Sequence, residues 1–317
     1  MPLAYDPEFA KAAAPILSQL RLDKRPAVHD IEARRAAIRT IASQHSEIPL
    51  PDDMQHLVHK VPAGDHQVEI HHFRKKDIPI QGRGAPAIIH IHGGGYISLS
   101  AKGSSATGIT CTSLTGVQLL SIEYRLAPES PYLAALDDCW AALQWVHSHA
   151  AELSIDLHRL AVMGESSGGG IAAALTIIAR DRSILPPLAK QILIYPMLDD
   201  RTVTNHTGNL AFWDEGDNIT GWSAYLGPAY GTDIVPAQAA PARVETVEGL
   251  PPMYIDCPQL DIFVKENSEY VRRFLEANIP VEFHVYPGLP HGFEGLAPMC
   301  SAVQRAMANR LRAMMDF

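Results

Sequence analysis

The chain reads as an α/β protein built on a mostly parallel sheet with helices on both faces. Two observations lead there. From about residue 55 to 290, short apolar runs alternate with segments of helical periodicity. Strands separated by helices of that length imply crossover connections, and crossovers place helices on the faces of a parallel sheet. The chain also has 317 residues, 47 % of them hydrophobic, enough for one large domain with a sizeable core.

Residues 1–50 are expected to be helical. Phe9, Ile16 and Leu20, then Ile31, Ile38 and Ile41, recur at roughly helical spacing. Pro49 and Pro51 end the section. Strands are expected at 68–70, 87–91, 117–122, 160–163, 192–195, 253–255 and 281–286. Helices are expected at 133–149, where Leu136, Trp140, Leu143 and Val146 share a face, and at 171–179, 264–277 and 298–315. Residues 199–249 break the rhythm. They hold Phe212, Trp213, Trp222, Tyr225 and Tyr230 among many glycines, prolines and polar residues. We read this stretch as a cap insertion in a main domain spanning 51–317. With the N-terminal helices of 1–50 it is expected to form a lid over the sheet.

The net charge of -9 argues against nucleic acid or an anionic membrane as the main partner, because both require clustered Lys and Arg. Arg74-Lys75-Lys76 is the only dense basic run and reads as a solvated turn. Four widely spaced cysteines, with no CxxC pair, predict neither a disulfide framework nor a metal site. The N-terminus lacks a basic start and a long apolar core, and no run of 18 apolar residues occurs. A cytoplasmic protein is expected. His71-His72 suggests a metal pair, but neighbours on a strand point to opposite faces and cannot easily share an ion.

Gly164-Glu165-Ser166-Ser167-Gly168 fits GxSxG and lies between a predicted strand and a predicted helix. That context forces the central residue into an exposed, strained turn, so Ser166 is the candidate nucleophile. Ser167 competes, but only Ser166 has glycines at both offsets. A serine there sits at a helix N-terminus, where free N–H groups favour a developing anion. His92-Gly93-Gly94-Gly95 follows the strand at 87–91. Acyl transfer creates a tetrahedral anion that main-chain N–H donors must face. The amides of Gly94, Gly95 and Ser167 are the expected donors. His92 orients this loop, and His92 and Gly93 border the substrate. A phosphate loop is the rival reading, but no GxGxxG or GK[ST] signature is present.

His291 follows the last predicted strand and can reach a serine at the sheet's C-terminal edge as general base. Asp261 follows the strand at 253–255 and can orient that imidazole, with Asp256 as its rival. The order Ser, Asp, His suits this kind of sheet. Arg125 is expected to form a structural ion pair, Asp137-Asp138 to decorate a helix, and Asp199-Asp200 to cap one, with the rim of the site as the alternative for that pair. Phe212, Trp213, Trp222 and Tyr225 are candidates for the substrate pocket, with the core of the lid as the alternative place for half of them.

At these residues the chain resembles the hormone-sensitive-lipase-like family of α/β-hydrolases, which includes many microbial carboxylesterases. The pieces are His92 to Gly95, then Glu123-Tyr124-Arg125-Leu126-Ala127-Pro128-Glu129, then Gly164 to Gly169, then His291-Gly292-Phe293, in the family's order. The resemblance implies an eight-stranded, mostly parallel sheet, a helical cap, and ester hydrolysis without cofactor or metal. It also implies pairing into a homodimer through the edge of the last strand. The departures are Glu165 and Ser167, where the family has Asp and Ala, and Glu123 in place of Asp. The segment Asp261-Ile262-Phe263-Val264-Lys265-Glu266 replaces the usual DPLRDE, and Pro251-Pro252 aligned with the family's Pro-Pro favours Asp261 over Asp256. The expected activity is hydrolysis of short to medium acyl esters. An amidase or deacetylase would use the same groups. A non-catalytic small-molecule receptor is the remaining rival, and the presence of His291 speaks against it.

Overall fold

The computed structural model describes residues 2–19, 25–42, 48–77, 84–203 and 207–317. Its strands are β1 (Met54–Ala63), β2 (His66–Lys75), β3 (Ala85–Ile91), β4 (Gln118–Glu123), β5 (Ile155–Glu165), β6 (Lys190–Ile194), β7 (Met253–Leu260) and β8 (Val281–Pro290). They form one sheet in the order β1-β2-β4-β3-β5-β6-β7-β8. The β1-β2 and β2-β4 pairs are antiparallel, and all others are parallel.

The helices are α1 (Pro7–Gln19), α2 (Ile31–Ala42), α3 (Ser105–Thr115), α4 (Ala134–Ser148), α5 (Ala150–Leu153), α6 (Ser167–Asp181), α7 (Glu215–Leu226), α8 (Val264–Glu276), α9 (Phe293–Leu296) and α10 (Ser301–Met315). Helix α6 packs on β5 and β6, α4 on α6 and the β1-β2 hairpin, α8 on β7 and β8, and α3 against α10. The central strands explain why the sequence reads as continuous apolar runs. Every residue of β6 is buried, as are Leu160 to Gly164 of β5. A parallel strand covered by helices on both faces has no solvent side to encode.

Besides the one-turn helices α5 and α9, three elements escape the sequence reading. β1 is an edge strand with an irregular pattern of exposure, so no clean alternation marks it. α3 is mostly Ser, Thr and Gly, which are poor helix formers without an apolar stripe. α7 starts at a capping box in which Asp214 and Asp217 each accept from the other's backbone N–H. Leu20 lies outside the described residues. α1 opens where Asp6 accepts the amides of Glu8 and Phe9, and Phe9 and Ala13 are fully buried against the main core.

Two expectations are corrected. Asp138 does not decorate a helix surface: it is fully buried and binds Arg125 and His66. A surface position would have left both partners unpaired. Asp199 and Asp200 cap no helix. Asp200 is buried and holds Arg243 through two contacts of 2.7 and 2.9 Å, and Asp199 binds Arg201. Arg125 does form an ion pair, and His71 and His72 lie on opposite faces, bonded to His56 and His59 respectively. The four cysteines are free and buried.

Candidate active site

Strand β5 ends at Glu165, and the chain turns through Ser166 into α6. Ser166 sits at φ 55°, ψ −121°, outside the regions that L-residues favour. The turn closes only because its flanking residues lack side chains. A Cβ on Gly164 would lie 2.2 Å from the Gly168 carbonyl, and one on Gly168 would lie 2.1 Å from that of Ile91. This is the physical content of the GxSxG spacing. The strain leaves the hydroxyl at the C-terminal edge of the sheet, where only 6 % of the residue is exposed.

His291 arrives on the loop after β8. Its Nε2 lies 3.0 Å from the Ser166 hydroxyl, and its Nδ1 lies 2.5 Å from a carboxylate oxygen of Asp261. A carboxylate only accepts, so Nδ1 carries the proton and Nε2 is left to accept from the serine. Asp261 is fully buried, and its other oxygen accepts the amide of Phe263 at 3.0 Å. The imidazole is also held by rings. Tyr195 lies 4.4 Å away centroid to centroid, and Phe263 meets it edge-on at 5.5 Å.

Asp256, the alternative acid, faces elsewhere. Arg310 binds it bidentately at 2.7 and 2.9 Å, and the Tyr254 hydroxyl donates to it at 3.0 Å. Arg310 also reaches Glu294, three residues after His291, at 3.3 Å, and Glu294 accepts from the Tyr195 hydroxyl. One buried guanidinium thus joins the middle of β7 to α9. Burial opposes the charge on Arg310, but Asp256 and Glu294 raise its pKa well above the usual guanidinium value. The sequence showed no signal for this network, because Arg310 sits in an ordinary-looking C-terminal helix.

The glycine loop runs beside the elbow: the Cβ position of Gly93 is 3.4 Å from that of Ser166. The Gly94 carbonyl accepts the amides of Ile97 and Ser98, which fixes that peptide's orientation. Ser167 begins α6, so its N–H belongs to the first turn, which has no intrahelical acceptor. His92 lies behind the loop. Its ring stacks on Tyr124 at 4.2 Å, and its Nδ1–H donates to the Gly93 carbonyl at 2.8 Å. Burial pushes the His92 imidazole down to about 4, so it is neutral at neutral pH. The Tyr124 hydroxyl donates to the His92 carbonyl at 2.8 Å.

Glu165, where the resemblance leads one to expect Asp, makes a contact that the sequence did not reveal. His90 on β3 lies 2.9 Å from its carboxylate and 2.8 Å from Ser121 on β4. Burial raises the Glu165 pKa, but the His90 charge and hydrogen bond outweigh it and hold the carboxyl below its ordinary range.

The candidate pocket residues separate. Trp213 lies directly over Gly95, where a Cβ would be 2.2 Å from its ring, with its centroid 6.4 Å from that of His291. Phe212 is half-buried and lies 3.9 Å from the Cβ position of Gly292. Trp222 does not face the site. It is fully buried against Tyr96 and Tyr225, on the inward face of α7.

A serine at the sharp turn between a parallel strand and a helix, in line with an imidazole and a carboxylate on later loops, defines the α/β-hydrolase class. The comparisons agree. The family model described as the alpha/beta hydrolase fold matches residues 88–295. Esterase LipI of Mycobacterium tuberculosis is 32% identical over 315 residues, covering 98% of this chain and 94% of its own. Carboxylesterase NlhH of the same species is 34% identical over 245 residues, covering 74% and 75%. A solved bacterial heroin esterase superposes with a TM-score of 0.88 at 33% identity, covering 98% of this chain and 97% of that one. The chain belongs to the α/β-hydrolase family, in its hormone-sensitive-lipase-like branch, and is a carboxylic ester hydrolase. Among the described residues no helix is long and apolar enough to cross a membrane.

Proposed function

We propose that the chain hydrolyses short to medium acyl esters through an acyl-enzyme on Ser166. The observation that carries this reading is the line from Ser166 through His291 to Asp261, with contacts of 3.0 and 2.5 Å. His291 takes the Ser166 proton as the oxygen attacks the acyl carbon, and returns it to the leaving alcohol. Asp261 holds the imidazole in the tautomer that can accept, and stabilises the imidazolium. The amides of Gly94, Gly95 and Ser167 receive the oxyanion. Water then enters by the same base and releases the acid.

Substrate range follows from the cap, to which we assign α1, α2 and the segment around α7. Trp213 and Phe212 stand at the mouth of the site, and both Ser166 and His291 are more than nine-tenths buried. That leaves room for a compact acyl group. Ser166→Ala assayed on a panel of p-nitrophenyl esters tests the reading. Turnover should vanish for every member, and a variant as active as the parent chain would overturn it.

A further inference from the structure

The segment that carries Trp213 has no regular structure of its own. Residues 211–214 lie between a short 3-10 turn and the start of α7, so neither a ladder nor a helix fixes their course. What fixes it comes from the far end of the chain. Three consecutive carbonyls before Trp213 accept from N-terminal residues. The Tyr5 hydroxyl donates to Leu210 at 2.9 Å, and the Arg25 guanidinium donates to Ala211 at 2.5 Å and to Phe212 at 2.9 Å. The same guanidinium binds Asp214 at 2.9 Å and Asp217 at 3.0 Å. One planar fork therefore grips both sides of Trp213, two carbonyls before it and two carboxylates after it. Those carboxylates are the capping box of α7, so Arg25 fixes the helix start as well. An ammonium cannot reproduce this, because it is a point donor and not a fork.

We propose that Arg25 is a positioning residue that holds Trp213 over Gly95 and thereby sets which acyl groups the site accepts. The proposal rests on the reading of Ser166 as nucleophile and adds a determinant more than 140 positions away in sequence. The indole occupies the space that a side chain on Gly95 would fill, and is 8 % exposed. It therefore forms a wall of the volume above the proposed oxyanion amides. Releasing its backbone lets the ring move outward and enlarges that volume. A short acyl group then loses a contact, and a longer one gains room.

The test is a double-mutant cycle on the full-length chain: Arg25→Ala, Trp213→Ala and the double variant, with p-nitrophenyl acetate and octanoate as probes. Arg25→Ala should raise the octanoate-to-acetate ratio of kcat/KM by about tenfold, comparable to one methylene of fit in an apolar pocket. Trp213→Ala should move the ratio the same way. The double variant should match Trp213→Ala within about twofold, because residues acting through one contact are not additive. A ratio unchanged by Arg25→Ala, or an Arg25 effect that persists in full after Trp213 is removed, would overturn the proposal. Should Arg25→Ala not fold, Arg25→Lys and Tyr5→Phe carry the same test, each expected to shift the ratio in the same direction by a smaller factor. Loss of all activity in Ser166→Ala is read separately. It bears on the nucleophile and not on the clasp, so failure of either claim can be told apart.

Discussion

Two buried aspartates, Asp256 within β7 and Asp261 just after it, should separate cleanly under amidation. Asp256→Asn removes the charge that Arg310 grips through two contacts and leaves a buried guanidinium with only Glu294 opposite. Breaking a buried pair this way costs about 3–5 kcal/mol. With an unfolding entropy of about 2.1 cal/mol/K per residue, a chain of 317 residues loses one degree of Tm for about 0.7 kcal/mol. The expected fall is therefore about 4–8 °C, with kcat falling by less than about tenfold, because Asp256 touches no reacting group. Asp261→Asn should do the reverse. The amide can present N–H₂ to His291 Nδ1, which favours the tautomer that cannot take the Ser166 proton. Amidating the triad aspartate of another serine hydrolase lowers kcat on the order of 10⁴, and the 2.5 Å contact here calls for a comparable loss. Differential scanning fluorimetry and p-nitrophenyl acetate turnover on both variants decide the matter. Should Asp256→Asn abolish turnover while Asp261→Asn keeps most of it, the assignment of the acid is wrong.

Two further outcomes follow from the same geometry. Gly95→Ala places a methyl group 2.2 Å from the Trp213 ring at a φ of +62°, so the loop must shift. Turnover should fall by about 10²–10³, as when one oxyanion donor is lost, and Gly95→Ala with Trp213→Ala should recover part of it; full activity in the single variant would contradict the placement of the loop. Acid should destabilise the fold through its buried histidines. Burial lowers the His72 and His92 imidazoles from 6.5 to about 3 and about 4. As pH falls below about 6.5 the unfolded chain takes up these protons first, so stability is full above that value and declines down to about pH 3. The urea midpoint should be lower near pH 5 than near pH 8, and an equal or higher midpoint would refute the sign.

Much of this arrangement was legible because the chemistry constrains the backbone. The GxSxG turn needs glycines where carbonyls pass within 2.2 Å, so Ser166 announces itself in the residues around it. His291 and Asp261 were found by their places after β8 and β7, since a parallel sheet delivers its loops to one edge. Fully buried β6 and the buried Leu160–Gly164 stretch of β5 show as apolar runs for the same reason. What stayed hidden depends on partners distant in sequence. Arg310 has no local mark that separates it from a surface arginine, and its role exists only where Asp256 and Glu294 meet it. Trp222 looked like a pocket residue because aromatic content cannot tell a wall from the layer behind it; only the turn of α7 decides. Asp138 reads as a helix decoration and Asp200 as a helix cap because the sequence does not show Arg125 or Arg243 reaching them.

The central claim is tested most directly by covalent trapping. The chain should react with a fluorophosphonate, and mass spectrometry of the digest should find the adduct on the peptide containing Ser166, with none on the Ser166→Ala variant. An adduct on Ser167 or another residue, or no adduct on a protein that still turns over esters, would contradict the account.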